Sequence, residues 1–308
     1  MSPLIIFIVG PTAVGKTEVA LKLSRLMPLE VVSCDSMQVY KEMEIISCKP
    51  APSLRKKLPH HMVDVVSVVE DYSVAEYEKG AAAAIKKIIS GGSAPCIVGG
   101  SGLYMSVLLD GLFTQETKDQ QIREALKREA ESLGSQLLYA RLKNLDAAAA
   151  AKIHPNDRRR IIRALEIFQL TQRPISQWQK ERQGLWGGYP IKIFCLNLPR
   201  QELYARINRR VEKMFALGLV NEVKQLLKRN LSKTASGAIG IQEIKGYFNG
   251  ACALDEAKER VKQNTRRYAK RQLTWFRKDQ RLQWQEINRG ETAQQTAEKI
   301  FLNLKDKQ

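Results

Sequence analysis

The apolar run Leu4 to Val9 leads directly into Gly10-Pro-Thr-Ala-Val-Gly15-Lys16-Thr17. No other stretch of the chain constrains its fold as tightly. A continuous apolar run ending in glycine is the mark of a central parallel strand, buried on both faces. The segment after the loop, Lys16 to Met27, has helical spacing through Val19, Ala20, Leu23 and Leu26. Strand, G-x-x-x-x-G-K-[ST] and helix in that order make a P-loop. Its glycines let the backbone curl until N–H groups point inward at phosphate oxygens, and the helix N-terminus adds positive potential. Lys16 supplies a point charge, and the Thr17 hydroxyl can ligate Mg²⁺. Gly10, Pro11, Thr12, Ala13, Val14, Gly15, Lys16 and Thr17 are therefore the expected phosphate-binding residues. A nucleoside triphosphate is the default occupant of such a loop.

The rest of the chain extends the pattern. Glu30 to Ser33 and Pro95 to Val98 read as further buried strands, and Tyr72 to Ser90 and Leu103 to Leu109 as helices, with Ser101 able to cap the latter. Strand and helix alternate, so the fold class is α/β: a P-loop NTPase-like parallel sheet flanked by helices. From Thr114 to Gln183 strand signals vanish and charged, alanine-rich helical segments take over. This predicts an all-helical insertion over 114–183 inside a catalytic core of 1–113 and 184–308. Sheet character returns at Ile191 to Leu198. Helices follow over Glu202 to Leu217, Val220 to Lys228 and Leu254 to Phe276, then a short strand at Leu282 to Glu286 and a terminal helix.

Composition narrows the partners. Fifty Lys and Arg against thirty-two Asp and Glu leave a net charge of +18 in 308 residues, a field that attracts polyanions. Five scattered cysteines without a C-x-x-C spacing argue against a disulfide framework or a zinc site. The N-terminal run lacks a basic n-region and a cleavage site, and no apolar run is long enough to span a bilayer. A cytoplasmic protein with no membrane partner is expected.

A P-loop ATPase commonly carries an Mg²⁺-binding Asp at the end of a second apolar strand. Here Pro95-Cys-Ile-Val98 ends in Gly99-Gly-Ser-Gly-Leu-Tyr104, without an acid. The acid follows the other strand, in Cys34-Asp35-Ser36-Met37-Gln38-Val39-Tyr40. Most such residues are turn or cap aspartates. A carboxylate at the carboxyl end of a strand beside the P-loop is also where a general base belongs.

These motifs, with Leu58-Pro-His-His-Met-Val-Asp64, Ile153-His-Pro-Asn-Asp-Arg-Arg-Arg-Ile-Ile-Arg163 and Tyr268-Ala-Lys-Arg-Gln-Leu-Thr-Trp-Phe-Arg277, occur in one order. In that combination, running from the N-terminus to about Arg277, the chain resembles the tRNA dimethylallyltransferases, or tRNA isopentenyltransferases, of bacterial type. The family transfers a dimethylallyl group from its diphosphate to N6 of the adenine just 3′ of the tRNA anticodon. The resemblance implies tRNA and dimethylallyl diphosphate as partners, Mg²⁺ as cofactor, and a P-loop gripping the donor through Thr12 to Thr17. It implies Asp35 as the acceptor of the N6 proton and Ser101, where the family usually has Thr, as an assisting hydroxyl. Asp35, Ser36, Met37, Gln38 and Ser101 would meet the target base. Arg123 and the stretch Arg159, Arg160, Ile161, Ile162, Arg163 would meet tRNA. Arg206 and Arg210 are both candidates for neutralising diphosphate. One chain can supply both surfaces, so a monomer is expected, and ATP could still fit the loop.

The chain departs from the family pattern in three places. Val14 stands where Ser is common, Lys41 to Pro50 lacks two usual glycines, and Ile241-Gln242 replaces Tyr-Lys. The run Lys258 to Lys278 is basic apart from Glu259 and reads as an RNA-facing helix with Tyr268, Trp275 and Phe276 as core anchors. Arg158 to Arg160 with Arg163 form a second basic cluster, and His60-His61 reads as a packing or turn element. Two other readings compete: a P-loop small-molecule kinase or NTPase, which needs no large positive field, and a non-catalytic RNA-binding protein with a dead loop.

Overall fold

A computed structural model describes residues 3–113 and 119–305. Residues 114–118, where the insertion is expected to begin, lie outside the described residues. The first strand, β1 (Ile5–Val9), is completely buried, as its unbroken apolar run requires. It is followed by α1 (Lys16–Leu23), β2 (Leu29–Cys34), α2 (Pro52–Lys57), β3 (His60–His61), α3 (Val74–Ser90), β4 (Ala94–Gly99) and α4 (Gly102–Asp110). Helix α3 begins on a capping box: the Glu76 amide donates to the Ser73 hydroxyl, and the Glu76 carboxylate accepts the Ser73 amide. After the helical segment come β5 (Ile191–Asn197), α10 (Arg200–Ala216), α11 (Leu219–Leu226), α12 (Ile241–Phe248), α13 (Leu254–Phe276), β6 (Gln283–Glu286) and α14 (Ala293–Lys305).

Among the described residues the strands form one parallel sheet in the order β3-β2-β4-β1-β5-β6. His60-His61, expected as a packing or turn element, forms the edge strand β3 and so is not a turn. Val31 pairs with His60 and Val32 with His61. This two-residue edge has no apolar alternation from which a strand could be read. Strand β1 lies between β4 and β5, so the chain crosses to one side of it for β2 and to the other for β5. Such a reversal opens a crevice at the carboxyl ends of the strands. The loops after β1, β2 and β4 all open at that end.

The chain divides into two units, Met1–Leu109 with Trp186–Gln308, and Asp110–Leu185. The core of the first unit packs Ile6 and Ile8 of the sheet with Val14, Ala20 and Leu23 beneath the loop and Ala297 and Ile300 of α14. The second unit holds α5 (Gln120–Ser132), α6 (Ser135–Leu145), α7 (Ala147–Ala150), α8 (Arg158–Thr171) and α9 (Ile175–Lys180). Its own core gathers Leu126, Leu138, Leu142, Ile161, Ile162 and Leu165. Carboxylates fasten its turns. Asp119 caps α5, and Asp146 accepts the amides of Ala149 and Ser176, both at 2.9 Å.

Candidate active site

The loop after β1 takes its shape from three residues in the left-handed region: Gly10 at φ 140°, Ala13 at φ 67° and Gly15 at φ 106°. Gly10 is also a close approach, since a Cβ there would lie 2.5 Å from the Leu196 carbonyl oxygen on β5. Val14 is fully buried in the core, which accounts for an apolar side chain at this departure from the family pattern. The Lys16 ammonium donates to the carbonyls of Gly10 at 2.9 Å and Pro11 at 2.8 Å. Burial, reinforced by the nearby Arg210 guanidinium, lowers the Lys16 pKa to about 8.

Asp35 leaves the end of β2, where its Oδ1 accepts the Met37 amide at 2.9 Å in a tight Asx turn. Burial raises its pKa, opposed by that amide and by Lys16 and Arg210. A carboxylate raised this way is nearer neutrality in its proton affinity than a surface aspartate, as a base should be. Ser101, in the turn that follows β4, buttresses this turn. Its Oγ accepts the Ser36 amide at 3.1 Å.

Thr12, Ala13, Gly15, Lys16, Thr17, Asp35, Ser36, Met37, Gln38 and Arg210 all line one cavity of about 400 Å³. Val31, Val98, Ile46 and Met214 add apolar groups to its lining. A leaving phosphate group and an apolar fragment could thus occupy the same space, with a carboxylate on the wall.

Of the two arginines on α10, Arg210 lines the cavity and donates to the Thr12 hydroxyl at 3.0 Å. Arg206 flanks Gly15, but its guanidinium pairs with Glu202 at 2.7 Å. Gln38, expected at the target base, has its amide engaged inside the protein. The Ser33 hydroxyl donates to its Oε1 at 2.9 Å, and its Nε2 donates to the carbonyls of Ser47 and Cys48 at 3.5 and 3.4 Å. These bonds fix the 41–50 loop, which lines the cavity through Ile46, Ser47 and Cys48. From the other side Glu222 accepts the consecutive amides of Glu44, Ile45 and Ile46 at 2.8–3.0 Å.

Helix α13 divides its basic run between two tasks. Lys258 and Lys262 pair with Glu212, and Arg266 donates to Asn208, so these side chains tie α13 to α10. Thr265, Tyr268, Arg271 and Gln272 of the same helix line the cavity. Tyr268 is therefore a wall residue of the site rather than the core anchor expected of it, whereas Phe276 is fully buried. Gln272 carries no signal of its own in the sequence. Only its place inside the Tyr268 to Arg277 motif could have drawn notice.

The remaining expected residues belong to the helical unit. Arg158, Arg159 and Arg160 are exposed at the start of α8. Ile161 and Ile162 point inward, 0% and 8% exposed, so their side chains serve that unit's core and offer no surface to a polymer. Arg123 donates to both oxygens of Glu166 at 2.9 and 2.8 Å, and Arg163 donates to one at 2.9 Å. His154 accepts the Asn156 amide through Nδ1 at 3.2 Å, a turn contact.

The pattern described as IPP transferase matches residues 38–279. The chain belongs to the IPP transferase family. A tRNA dimethylallyltransferase of Geobacter sulfurreducens is 46% identical over 284 residues, 92% of this chain and 91% of that protein. One of Caldanaerobacter subterraneus subsp. tengcongensis is 45% identical over 309 residues, 98% of each chain. Among solved structures, the full-length tRNA isopentenylpyrophosphate transferase of Bacillus halodurans superposes with a TM-score of 0.72 at 37% identity, covering 99% of this chain and 98% of that one. A eukaryotic dimethylallyltransferase acting on tRNA gives a TM-score of 0.81 at 27% identity, covering 98% of this chain and 80% of that one. No helix among the described residues is long and apolar enough to cross a membrane.

Proposed function

We propose that this chain transfers the dimethylallyl group of dimethylallyl diphosphate to N6 of the adenine 3′-adjacent to the tRNA anticodon, releasing diphosphate. The observation that carries the reading is the shared cavity. The phosphate loop, Asp35 and Arg210 open onto one space that also has apolar walls. In the reaction the allylic C–O bond breaks, a C–N6 bond forms, and the N6 proton passes to Asp35. Lys16, the loop amides and Arg210 stabilise the negative charge that develops on the departing diphosphate. An exocyclic adenine amine is a weak nucleophile, so a carboxylate of raised pKa helps by taking the proton as bonding begins.

Among the described residues no cluster of three or more His, Cys, Asp or Glu could hold a metal ion. An Mg²⁺ ion would therefore be held by the Thr17 hydroxyl and oxygens of the diphosphate itself, a hard-oxygen set that suits this ion, and would add to charge neutralisation.

Target-base contact is assigned to Asp35, Ser36 and Met37, with Ser101 acting through the Ser36 amide. RNA backbone contact is assigned to Arg158, Arg159 and Arg160, in keeping with their exposure and with the net charge of +18. The target base must leave the anticodon-loop stack, at a cost of a few kcal/mol that is smaller in a single-stranded loop than in a duplex. The chain works as a monomer in the cytoplasm on this reading. Incubation with unmodified tRNA and labelled dimethylallyl diphosphate tests it. Label should pass to tRNA and be found on N6 of that adenine. Nucleotide-dependent phosphate transfer without prenylation would instead make the protein a small-molecule kinase.

A further inference from the structure

We infer that Gln272 is a positioning residue for the phosphate loop, pinning its curl to the Gly99–Ser101 turn and withdrawing the Thr12 amide from phosphate binding. The inference rests on reading the loop as a diphosphate site. Gln272 lies on α13 and is 6% exposed. Its Oε1 accepts the Thr12 amide at 2.9 Å, across 260 positions of chain, and its Nε2 donates to the Gly100 carbonyl at 2.8 Å. The two partners dictate the orientation of the side-chain amide, because a backbone N–H can only donate and a carbonyl only accept. The fit leaves no room for error. A Cβ at Gly100 would lie 2.2 Å from Gln272 Nε2 and 3.1 Å from the Gly10 carbonyl oxygen. Glycine at position 100 is thus what lets the glutamine reach across.

Thr12 is consequently held twice, through its amide by Gln272 and through its hydroxyl by Arg210 at 3.0 Å. The next residue, Ala13, sits at φ 67°, a left-handed conformation that a residue with a Cβ keeps only when its surroundings enforce it. The two bonds to Thr12 supply that enforcement immediately upstream. The Val14 amide turns back to the Pro11 carbonyl at 3.4 Å, and the amides of residues 13 and 15–17 are then left as the cradle for phosphate oxygens. A neutral side chain suits this task, since it fixes the loop without adding to or opposing the charge of the ligand. Because Tyr268 and Arg271 of the same helix also line the cavity, the loop is held in register with that wall.

The test uses the full chain and Gln272→Met, which keeps side-chain length and removes both hydrogen bonds. Inorganic diphosphate with Mg²⁺, titrated calorimetrically, should bind about tenfold or more weakly, the scale expected when buried polar partners are left unmatched. Affinity for unmodified tRNA should stay within about twofold, because the two bonds lost run to the loop and to the Gly100 carbonyl and not to RNA. Unchanged diphosphate affinity overturns the inference, and so does a parallel loss of diphosphate and tRNA binding, which marks general damage. A second measurement on the unaltered protein does not depend on the variant folding. The Thr12 amide should exchange slowly with solvent in the absence of any ligand, and exchange as fast as an open loop amide refutes the pinning. Failure of the unaltered protein to bind diphosphate would sink the diphosphate reading instead, while a protected Thr12 amide would still support the pin.

Discussion

In the sheet unit the cations of the site rest on neutral acceptors: Lys16 on two backbone carbonyls and Arg210 on a hydroxyl. In the helical unit Arg123 and Arg163 converge on Glu166, whose side chain is completely buried. Burial alone would raise the Glu166 carboxyl pKa, but the hydrogen bonds from the two arginines outweigh it and hold the pKa low. A cation satisfied by carbonyls keeps its charge for an incoming anion. A cation paired with a buried carboxylate has much of its charge already engaged, and Arg123 in particular serves to hold α5 against α8. The same residue type therefore does ligand work in one unit and structural work in the other, and local sequence does not distinguish them.

Substitutions in the two units test whether their cations do different work. The largest effect is expected at the carboxylate of the cavity. Asp35→Ala should lower single-turnover prenylation by about 10²–10⁴-fold, the range for loss of a general base, while tRNA affinity measured by filter binding stays within about twofold. Unchanged turnover would remove Asp35 as the base.

Next come the two arginines of α10. Arg210→Met should weaken diphosphate or donor binding by about tenfold to a hundredfold, as for a lost charge-assisted bond to an anion. Arg206→Met, already paired with Glu202, should cost only about two- to threefold. The reverse order would show that Glu202 releases Arg206 when donor arrives.

In the helical unit, Arg123→Met should reduce unfolding free energy by about 2 kcal/mol, below the ~3–5 of a fully buried broken pair because Arg123 is partly exposed. Arg159→Met should leave stability within about 0.5 kcal/mol and instead lower tRNA affinity, reducing the salt slope by about one. If Arg123→Met weakened tRNA binding with no loss of stability, the structural assignment of that ion cluster would fall.

A graded effect is expected on pH dependence. The Lys16 pKa is depressed to about 8 in the unliganded protein, and diphosphate favours the ammonium form. Donor affinity should therefore be flat below pH 8 and fall by up to about tenfold per pH unit above it. The raised Asp35 pKa acts in the opposite sense, since the base works only when deprotonated. kcat/KM should rise with pH through the Asp35 ionisation and decline again above about 8.

The phosphate loop, its flanking strand and helix, the alternation of strand and helix, and an acid at the end of β2 are all legible in the amino-acid sequence alone. Each is written in consecutive residues, where burial periodicity and backbone freedom leave few choices. What required the tertiary structure is written across long separations. Strand β3 exists because β2 offers an edge, not because His60-His61 favours extension. Arg210 is distinguished from Arg206 only by which turn of α10 faces Thr12. Ile161 and Ile162 are drawn inward by a core that the arginine-rich stretch around them conceals. Gln272 meets Thr12 across 260 positions. A lone glutamine on a helix carries no local signal of its partners, so only packing could decide that it closes on the loop with which the sequence began.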